Sequence, residues 1–286
     1  MRRIQLSNTN EKISIIGQET WGIMDNTDPE YYEQWKNALR RGIELGMTHI
    51  DISESYRSSL TEKVIREIIA EYNRDDLFLT GKLSPWYFRT NNMKRAISEN
   101  MKRLGIKYFD LLLVSRSNFL VPKKKYMRLL EDLVDEGKTR YIGVKNFSLN
   151  QFIEAQQYLK KFELINNQLK ARIDYPHHIH KVLPYYQKKG ITITLYSPLE
   201  DFNMIGRNWY YQNKTQQIAK LHHATVQQTS IAWLIDQSDI ITLINPFHIK
   251  YLGDIAKVLD IKLNQEEINI FYEMEDQIEY ENSQWI

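Results

Sequence analysis

Apolar residues along this chain follow two alternating patterns. Short, nearly continuous apolar runs typical of buried strands are followed by longer stretches whose apolar residues recur at helical spacing. The first such helix is predicted from Pro29 to about Leu45, where Gly46 is a stop signal, and Thr48–Ser53 follows as a buried strand. The pattern then repeats, with further strands predicted at Leu77–Leu83, Phe109–Val114, Arg140–Lys145, Leu164–Leu169, Ile191–Tyr196 and Ile240–Ile244.

This alternation predicts an α/β fold. Counting one strand before Trp21, the sequence predicts eight strands that alternate with helices, a pattern that specifies a closed parallel (β/α)8 TIM barrel. Arg3–Leu6 and Lys12–Ile16 flank a turn-rich spacer and are predicted to form an N-terminal β-hairpin cap. Lys250–Leu259 and Gln265–Asp276 are predicted as a short C-terminal helical tail. Because no shift in composition marks a boundary, we expect residues 1–286 to form a single domain.

Composition excludes several functional classes. With 38 basic and 36 acidic residues the net charge is +2, so neither a nucleic-acid-binding nor a membrane-surface field is expected. The chain has no apolar run of about 18 residues that would span a bilayer, and its start lacks the apolar stretch of a signal peptide. Cysteine is absent, which excludes disulfides and thiolate chemistry. These features predict a cytoplasmic enzyme.

The first chemically suggestive stretch is Gly46-Met-Thr-His-Ile-Asp-Ile-Ser-Glu-Ser-Tyr56. It places the carboxylate of Asp51 at the end of a predicted strand and the phenol of Tyr56 five residues later, in a polar loop. Taken alone, this stretch favours an ordinary surface loop with one aromatic residue.

Four further motifs, in order along the chain, change that interpretation. They are Leu79-Thr-Gly-Lys82, Gly137–Val144, Asn167-Gln168 and Tyr196-Ser-Pro-Leu199. Together with the Asp51–Tyr56 spacing, they resemble the aldo-keto reductase family over most of the chain. The resemblance implies a barrel enzyme that reduces an aldehyde or ketone to an alcohol. Its implied cofactor is NADPH, with NADH as a possibility, and its implied partner is a small carbonyl substrate.

The resemblance implies three catalytic residues. Tyr56 would be the general acid, Lys82 would tune it, and Asp51 would hold Lys82 charged. A Lys beside the Tyr suits these roles, because a phenol with a pKa of about 10 needs a nearby cation to act as an acid at neutral pH. A purely structural Asp51–Lys82 ion pair remains the alternative for those two. Where the family has His, this chain has Ser115, followed by Arg116. Ser115 can donate a hydrogen bond but cannot titrate near neutrality.

The resemblance also implies a cofactor site and a substrate pocket. Asn146 and Gln168 match residues that bind the nicotinamide amide, whereas Lys145 replaces the family's Ser. Tyr196 matches the aromatic residue that stacks on the nicotinamide ring. Trp21 and Arg116 would border the substrate pocket, with Arg116 favouring an anionic substrate unless it points to solvent. The remaining cofactor-binding candidates are Ser197, Leu199, His248 and Lys250.

Departures from the family pattern keep other functions open. Ser115, Lys145, the acidic Glu200 and the altered run around His248 favour a barrel that has lost efficient turnover and serves as a binding or regulatory protein. Schiff-base chemistry on Lys82 is a third hypothesis, disfavoured because Asp51 would keep the amine protonated. No metal site is predicted, and His177, His178 and His180 are interpreted as solvated loop residues.

Overall fold

A computed structural model describes residues 1–23, 28–52, 59–83, 90–115, 122–170, 179–198, 209–246 and 255–273. The strands are β1 Arg3–Gln5, β2 Lys12–Ser14, β3 Ile16–Glu19, β4 His49–Asp51, β5 Phe78–Leu83, β6 Phe109–Ser115, β7 Thr139–Lys145, β8 Leu164–Lys170, β9 Thr192–Tyr196 and β10 Ile240–Ile244.

From β3 onward, at least one helix separates each pair of consecutive strands. The helices are α1 Pro29–Glu44, α2 Ser59–Ile69, α3 Thr90–Leu104, α4 Lys123–Asp135, α5 Leu149–Tyr158, α6 Ile179–Lys189, α7 Trp209–Leu221, α8 Val226–Asp236 and α9 Ile255–Asp260, and residues 265–273 are also helical. Within the described ranges, no helix is both long and apolar enough to cross a membrane.

Strands β3 to β10 close into one parallel barrel, in which β10 pairs with β3. The predicted fold class is therefore confirmed. Strand cores such as Leu111–Val114 are buried along their whole length, since parallel barrel strands have side chains in the interior on one face and against helices on the other. In a parallel barrel all C-terminal strand ends meet at one rim, which is where side chains can converge on a ligand.

The predicted N-terminal hairpin is present, with β1 antiparallel to β2. Its Leu6 and Ile13 are fully buried in a small cluster separate from the main core, together with Phe78, Leu111, Leu113 and Ile241. Ser7 ties the hairpin to the far side of the barrel, because its backbone N–H donates to Thr192 Oγ1 at 2.7 Å and its Oγ accepts from Thr192 N at 2.8 Å. The hairpin thus covers the end of the barrel opposite the rim.

Local sequence signals determine several helix starts. The Asp28 side chain accepts from Glu30 N at the start of α1, where Pro29 occupies the first turn. Ser148 with Gln151 forms a reciprocal capping box at the start of α5. These bonds satisfy backbone donors that would otherwise lack partners in the first turn.

The C-terminal helical segment packs against α8. Phe271 stacks on Trp233 with ring centroids 5.0 Å apart and an interplanar angle of 18°. At the end of α7, His222 Nε2 lies 3.0 Å from the carboxylate of Glu267. The predicted helical tail therefore completes the outer layer of the barrel up to residue 273.

The buried imidazole of His49 in β4 should make the stability of the protein depend on pH. His49 is 1% exposed, and its Nε2 lies 2.9 Å from Thr80 Oγ1. Burial lowers its pKa to about 4 against the opposing effect of Asp51 and Asp110. Because the unfolded chain binds this proton near an ordinary pKa of about 6.5, the free energy of unfolding should fall by about 2 kcal/mol from about pH 7 to about pH 5.

Urea titrations at a series of pH values would measure that loss. His49→Gln should remove most of the slope, whereas the matched change at the exposed His223 should retain it. An identical slope in all three proteins would show that the core histidine is not its source.

Candidate active site at the barrel rim

Six predicted site residues lie on neighbouring strand ends. Four of them are the last residues of their strands, namely Asp51, Ser115, Lys145 and Tyr196. Lys82 lies one residue before the end of β5, and Gln168 lies two residues before the end of β8. Across the strands, Lys145 pairs with Ser115 on β6 and with Gln168 on β8. The rim therefore brings together an acid, two amines, a hydroxyl, a carboxamide and a phenol.

Asp51 is the centre of a buried hydrogen-bonded group. Its side chain is fully buried and its Oδ2 accepts from Lys82 Nζ. Its Oδ1 accepts from Gln168 Nε2 at 3.0 Å. Burial raises the pKa of Asp51, but the positive charges of Lys82 and Lys145 outweigh it, so the pKa lies below the ordinary value and Asp51 is a carboxylate at neutral pH. The predicted Asp51–Lys82 contact is therefore formed.

The side-chain oxygen of Gln168 is a hydrogen-bond acceptor that a ligand could use. The Gln168 side chain is fully buried, and within the described ranges its Oε1 has no hydrogen-bond partner. A buried carbonyl oxygen without a donor is unfavourable by about 1–3 kcal/mol, so this atom suits a ligand that brings an N–H group. The carboxamide of a nicotinamide carries such a group, and the rim residues fit this cofactor at Gln168.

Tyr196 is held by the loop after β7. Asn146 Nδ2 donates to the Tyr196 hydroxyl at 2.9 Å, and Lys145 Nζ lies 3.8 Å from the centre of the Tyr196 ring. Asn146 has φ +56°, in the left-handed region where Asn is among the better-tolerated residues, and its N–H donates to Gln168 O at 2.8 Å. This backbone turn points the amide side chain towards Tyr196.

Lys145 has an unusual electrostatic environment. Burial and the neighbouring Lys82 charge lower its pKa to about 7, although Asp51 and Glu19 act in the opposite direction. Glu19, which was not among the predicted site residues, ends β3 opposite Asp51 and is 5% exposed. The signal that could have found it is a carboxylate at the end of a short apolar strand.

Two further predicted site residues, Trp21 and Ser197, lie within the described ranges. Trp21 lies just after β3 with 59% of its surface exposed, and its carbonyl accepts from Asn245 Nδ2 at 3.0 Å. Ser197 follows Tyr196 and is buried. The remaining predicted site residues lie outside the described ranges, namely Tyr56, Arg116, Leu199, His248 and Lys250.

Comparison with known proteins identifies relatives of the whole barrel. Methylglyoxal reductase YeaE of Escherichia coli is 28% identical over 254 residues, covering 88% of each chain. The thermostable aldo-keto reductase Tm1743, solved with the inhibitor epalrestat, has a TM-score of 0.86 and 30% identity over 96% of this chain and 100% of that one. An aldo/keto reductase from Klebsiella pneumoniae, solved with NADP and acetate, has a TM-score of 0.81 and 27% identity, covering 91% and 90%.

The sequence model of the aldo/keto reductase family matches residues 15–276, a span that includes every strand of the barrel. The buried Asp51–Lys82 pair and the ordered motifs on the rim lie inside that match. The chain therefore belongs to the aldo/keto reductase family.

Proposed function

We propose that this protein is a nicotinamide-dependent carbonyl reductase that converts an aldehyde or ketone into an alcohol. NADPH is the proposed cofactor and NADH the alternative. Residues 1–286 would act as one domain. The observation that carries the proposal is the Asp51–Lys82–Gln168 group, which combines a fixed cation with a buried carboxamide acceptor on one rim.

Lys82 supplies the charge that makes a phenol useful as an acid. Because Asp51 is ionised and holds the Lys82 ammonium in place, a phenolate beside that ammonium is stabilised and the phenol loses its proton more readily. Tyr56, five residues after Asp51, is the proposed phenol. In the reaction it would give its proton to the carbonyl oxygen of the substrate.

The cofactor would be held by strand-end residues. When bound, the nicotinamide supplies the hydride. Gln168 Oε1 would accept from its carboxamide, Asn146 would donate to it, and the Tyr196 ring would provide a flat stacking surface. Lys145, whose Nζ lies over the Tyr196 ring, and Ser197, which follows Tyr196 in sequence, would border the nicotinamide. Leu199, His248 and Lys250 would contact the remainder of the dinucleotide.

The substrate would lie between the cofactor and the outer rim. Ser115, half-buried at the end of β6, would donate a hydrogen bond to the carbonyl oxygen. Because its hydroxyl does not titrate near neutrality, Tyr56 alone would supply the proton. Trp21, exposed next to β3, and Arg116 would border the substrate.

Binding of the cofactor is the direct test. NADPH and NADH should quench the tryptophan fluorescence with a Kd in the micromolar range, confirmed by calorimetry. Gln168→Leu should weaken binding by about tenfold or more, because the carboxamide acceptor is lost. Gln18→Leu is the matched control, since Gln18 is also buried on a barrel strand with an unpaired Oε1, but its Nε2 donates to Leu39 O in α1 and to Met47 O rather than to Asp51. Absence of binding of both dinucleotides up to millimolar concentration would refute the reductase.

A binding or regulatory barrel is the second candidate. It is favoured by Ser115, which stands where the resemblance implies a titratable His, and by the amine of Lys145 over the Tyr196 ring. This candidate predicts cofactor binding without turnover of any aldehyde or ketone in a broad panel. Measurable reduction that disappears in Tyr56→Phe would exclude it.

A further inference from the structure

Lys145 places a titratable amine directly over the proposed nicotinamide platform. Its Nζ lies 3.8 Å from the centre of the Tyr196 ring, and its strand position is fixed by pairing with Ser115 on one side and Gln168 on the other. An aromatic ring that stacks on the opposite face of Tyr196 has this amine across the tyrosine ring, and one that stacks on the same face displaces the amine to the ring's edge. On either face, Lys145 is a charged neighbour of the bound ring.

The two redox forms of a nicotinamide differ in charge at that ring. The reduced dihydropyridine is neutral, whereas the oxidised pyridinium carries a positive charge. An ammonium beside the platform repels the oxidised ring and leaves the reduced ring nearly unaffected. At the effective dielectric constants of protein surfaces, two unit charges a few ångströms apart alter an affinity by about tenfold or more.

We propose that Lys145 makes this site select the reduced form of its nicotinamide cofactor over the oxidised form. The inference rests on the proposed function, since it requires that the dinucleotide binds at this rim. The oxidised product would then be released more readily than the reduced cofactor.

The charges around Lys145 determine how strong the selection is. Lys82 and Asp51 compensate each other as an ion pair, and Glu19 contributes one negative charge. The neighbouring Ser115, Asn146 and Gln168 side chains are neutral. The charge that changes near neutral pH is therefore the one on Lys145 itself, whose pKa of about 7 reflects burial and the Lys82 charge.

Selection between the two redox forms should weaken as the pH rises through the pKa of Lys145. Below the pKa of Lys145 the amine is protonated and repels the oxidised ring, so selection is strong. Above it the amine is neutral, and the repulsion disappears. Binding of the oxidised form near neutral pH must also expel protons from Lys145, since the two positive charges disfavour each other.

The experiment measures Kd for NADPH and NADP⁺ by tryptophan fluorescence and calorimetry at about pH 6 and about pH 8.5. For the unmodified protein, the ratio of the NADP⁺ Kd to the NADPH Kd should fall by about tenfold over this range. Calorimetry in two buffers of different ionisation enthalpy should show proton release on NADP⁺ binding near neutral pH. Protonation of the dinucleotide phosphates is common to both forms and cancels in the ratio.

Two variants separate charge from shape. Lys145→Met keeps an unbranched side chain of similar length and should give a low ratio that does not change with pH. Lys145→Arg keeps a permanent charge and should give a high ratio that also does not change with pH. Equal ratios in all three proteins would overturn the role of Lys145 while the binding itself supports the proposed function. Failure of both dinucleotides to bind any of them would instead refute the proposed function.

Discussion

Replacing Lys82 with methionine is expected to lower kcat for carbonyl reduction by about 10²–10⁴-fold, the range typical of general acid–base contributions. The reason is electrostatic. Lys82 is the ammonium that Asp51 fixes at the rim, and without it the proposed acid Tyr56 returns to the ordinary behaviour of a phenol. Cofactor Kd should change far less than kcat. Steady-state rates with a set of aldehydes, followed by NADPH absorbance, would measure both.

A double-mutant cycle tests whether Lys82 acts through Tyr56. Tyr56→Phe alone should cause a loss of similar size. In the Phe background, Lys82→Met should cause little further loss, because residues that act as one unit have strongly non-additive effects. If the fold-losses in kcat of the two single variants multiply in the double variant, Lys82 has a function separate from Tyr56. Full activity in Tyr56→Phe would remove the phenol from the mechanism altogether.

Asp51→Leu is expected to lower the free energy of unfolding by about 3–5 kcal/mol, the effect of removing one partner from a buried ion pair. Asp51 is fully buried and Lys82 has only 7% of its side chain exposed, so the amine that remains has little access to water. The Gln168 Nε2 donor also loses its acceptor. Urea denaturation followed by circular dichroism would measure the change.

The matched control is Asp51→Leu combined with Lys82→Met. Because both charges are then absent, most of the stability should return. A residual loss of about 1–2 kcal/mol is expected from the unpaired Gln168 donor. If the double variant is as unstable as Asp51→Leu alone, the loss comes from packing at this position rather than from the isolated charge.

The fold was predictable because burial in a parallel barrel leaves a strong sequence pattern. Each barrel strand is buried on both faces, so the strands stand out as nearly continuous apolar runs between amphipathic helices. The predicted strand Ile240–Ile244 has the observed bounds. The predicted strand Thr48–Ser53 begins one residue before the observed β4, His49–Asp51, since apolar spacing alone does not mark where strand pairing begins.

The site was only partly predictable. Asp51, Lys82 and Gln168 follow from the family resemblance, and the structure brings them into contact. The placement of Lys145 over Tyr196 depends on the barrel register. In that register β8 lies between the two residues, with Gln168 paired to Lys145 on one side and Lys170 paired to Tyr196 on the other. Sequence spacing contains no such cross-strand information. The substitution of Lys145 for Ser was visible in the sequence, but its electrostatic effect required the positions of Lys82 and Glu19.

The hairpin that covers the end of the barrel has a consequence for biosynthesis. Ser7 forms its hydrogen bonds with Thr192, 185 residues later in the chain. At translation rates of about 5–20 residues per second, the hairpin leaves the ribosome roughly 10–40 s before its partner strand exists. During that interval Leu6 and Ile13 have no finished barrel interior to enter. The hairpin is therefore synthesised before the barrel strands that it contacts and reaches its native contacts late, so this nascent apolar segment is a target for shielding by a chaperone.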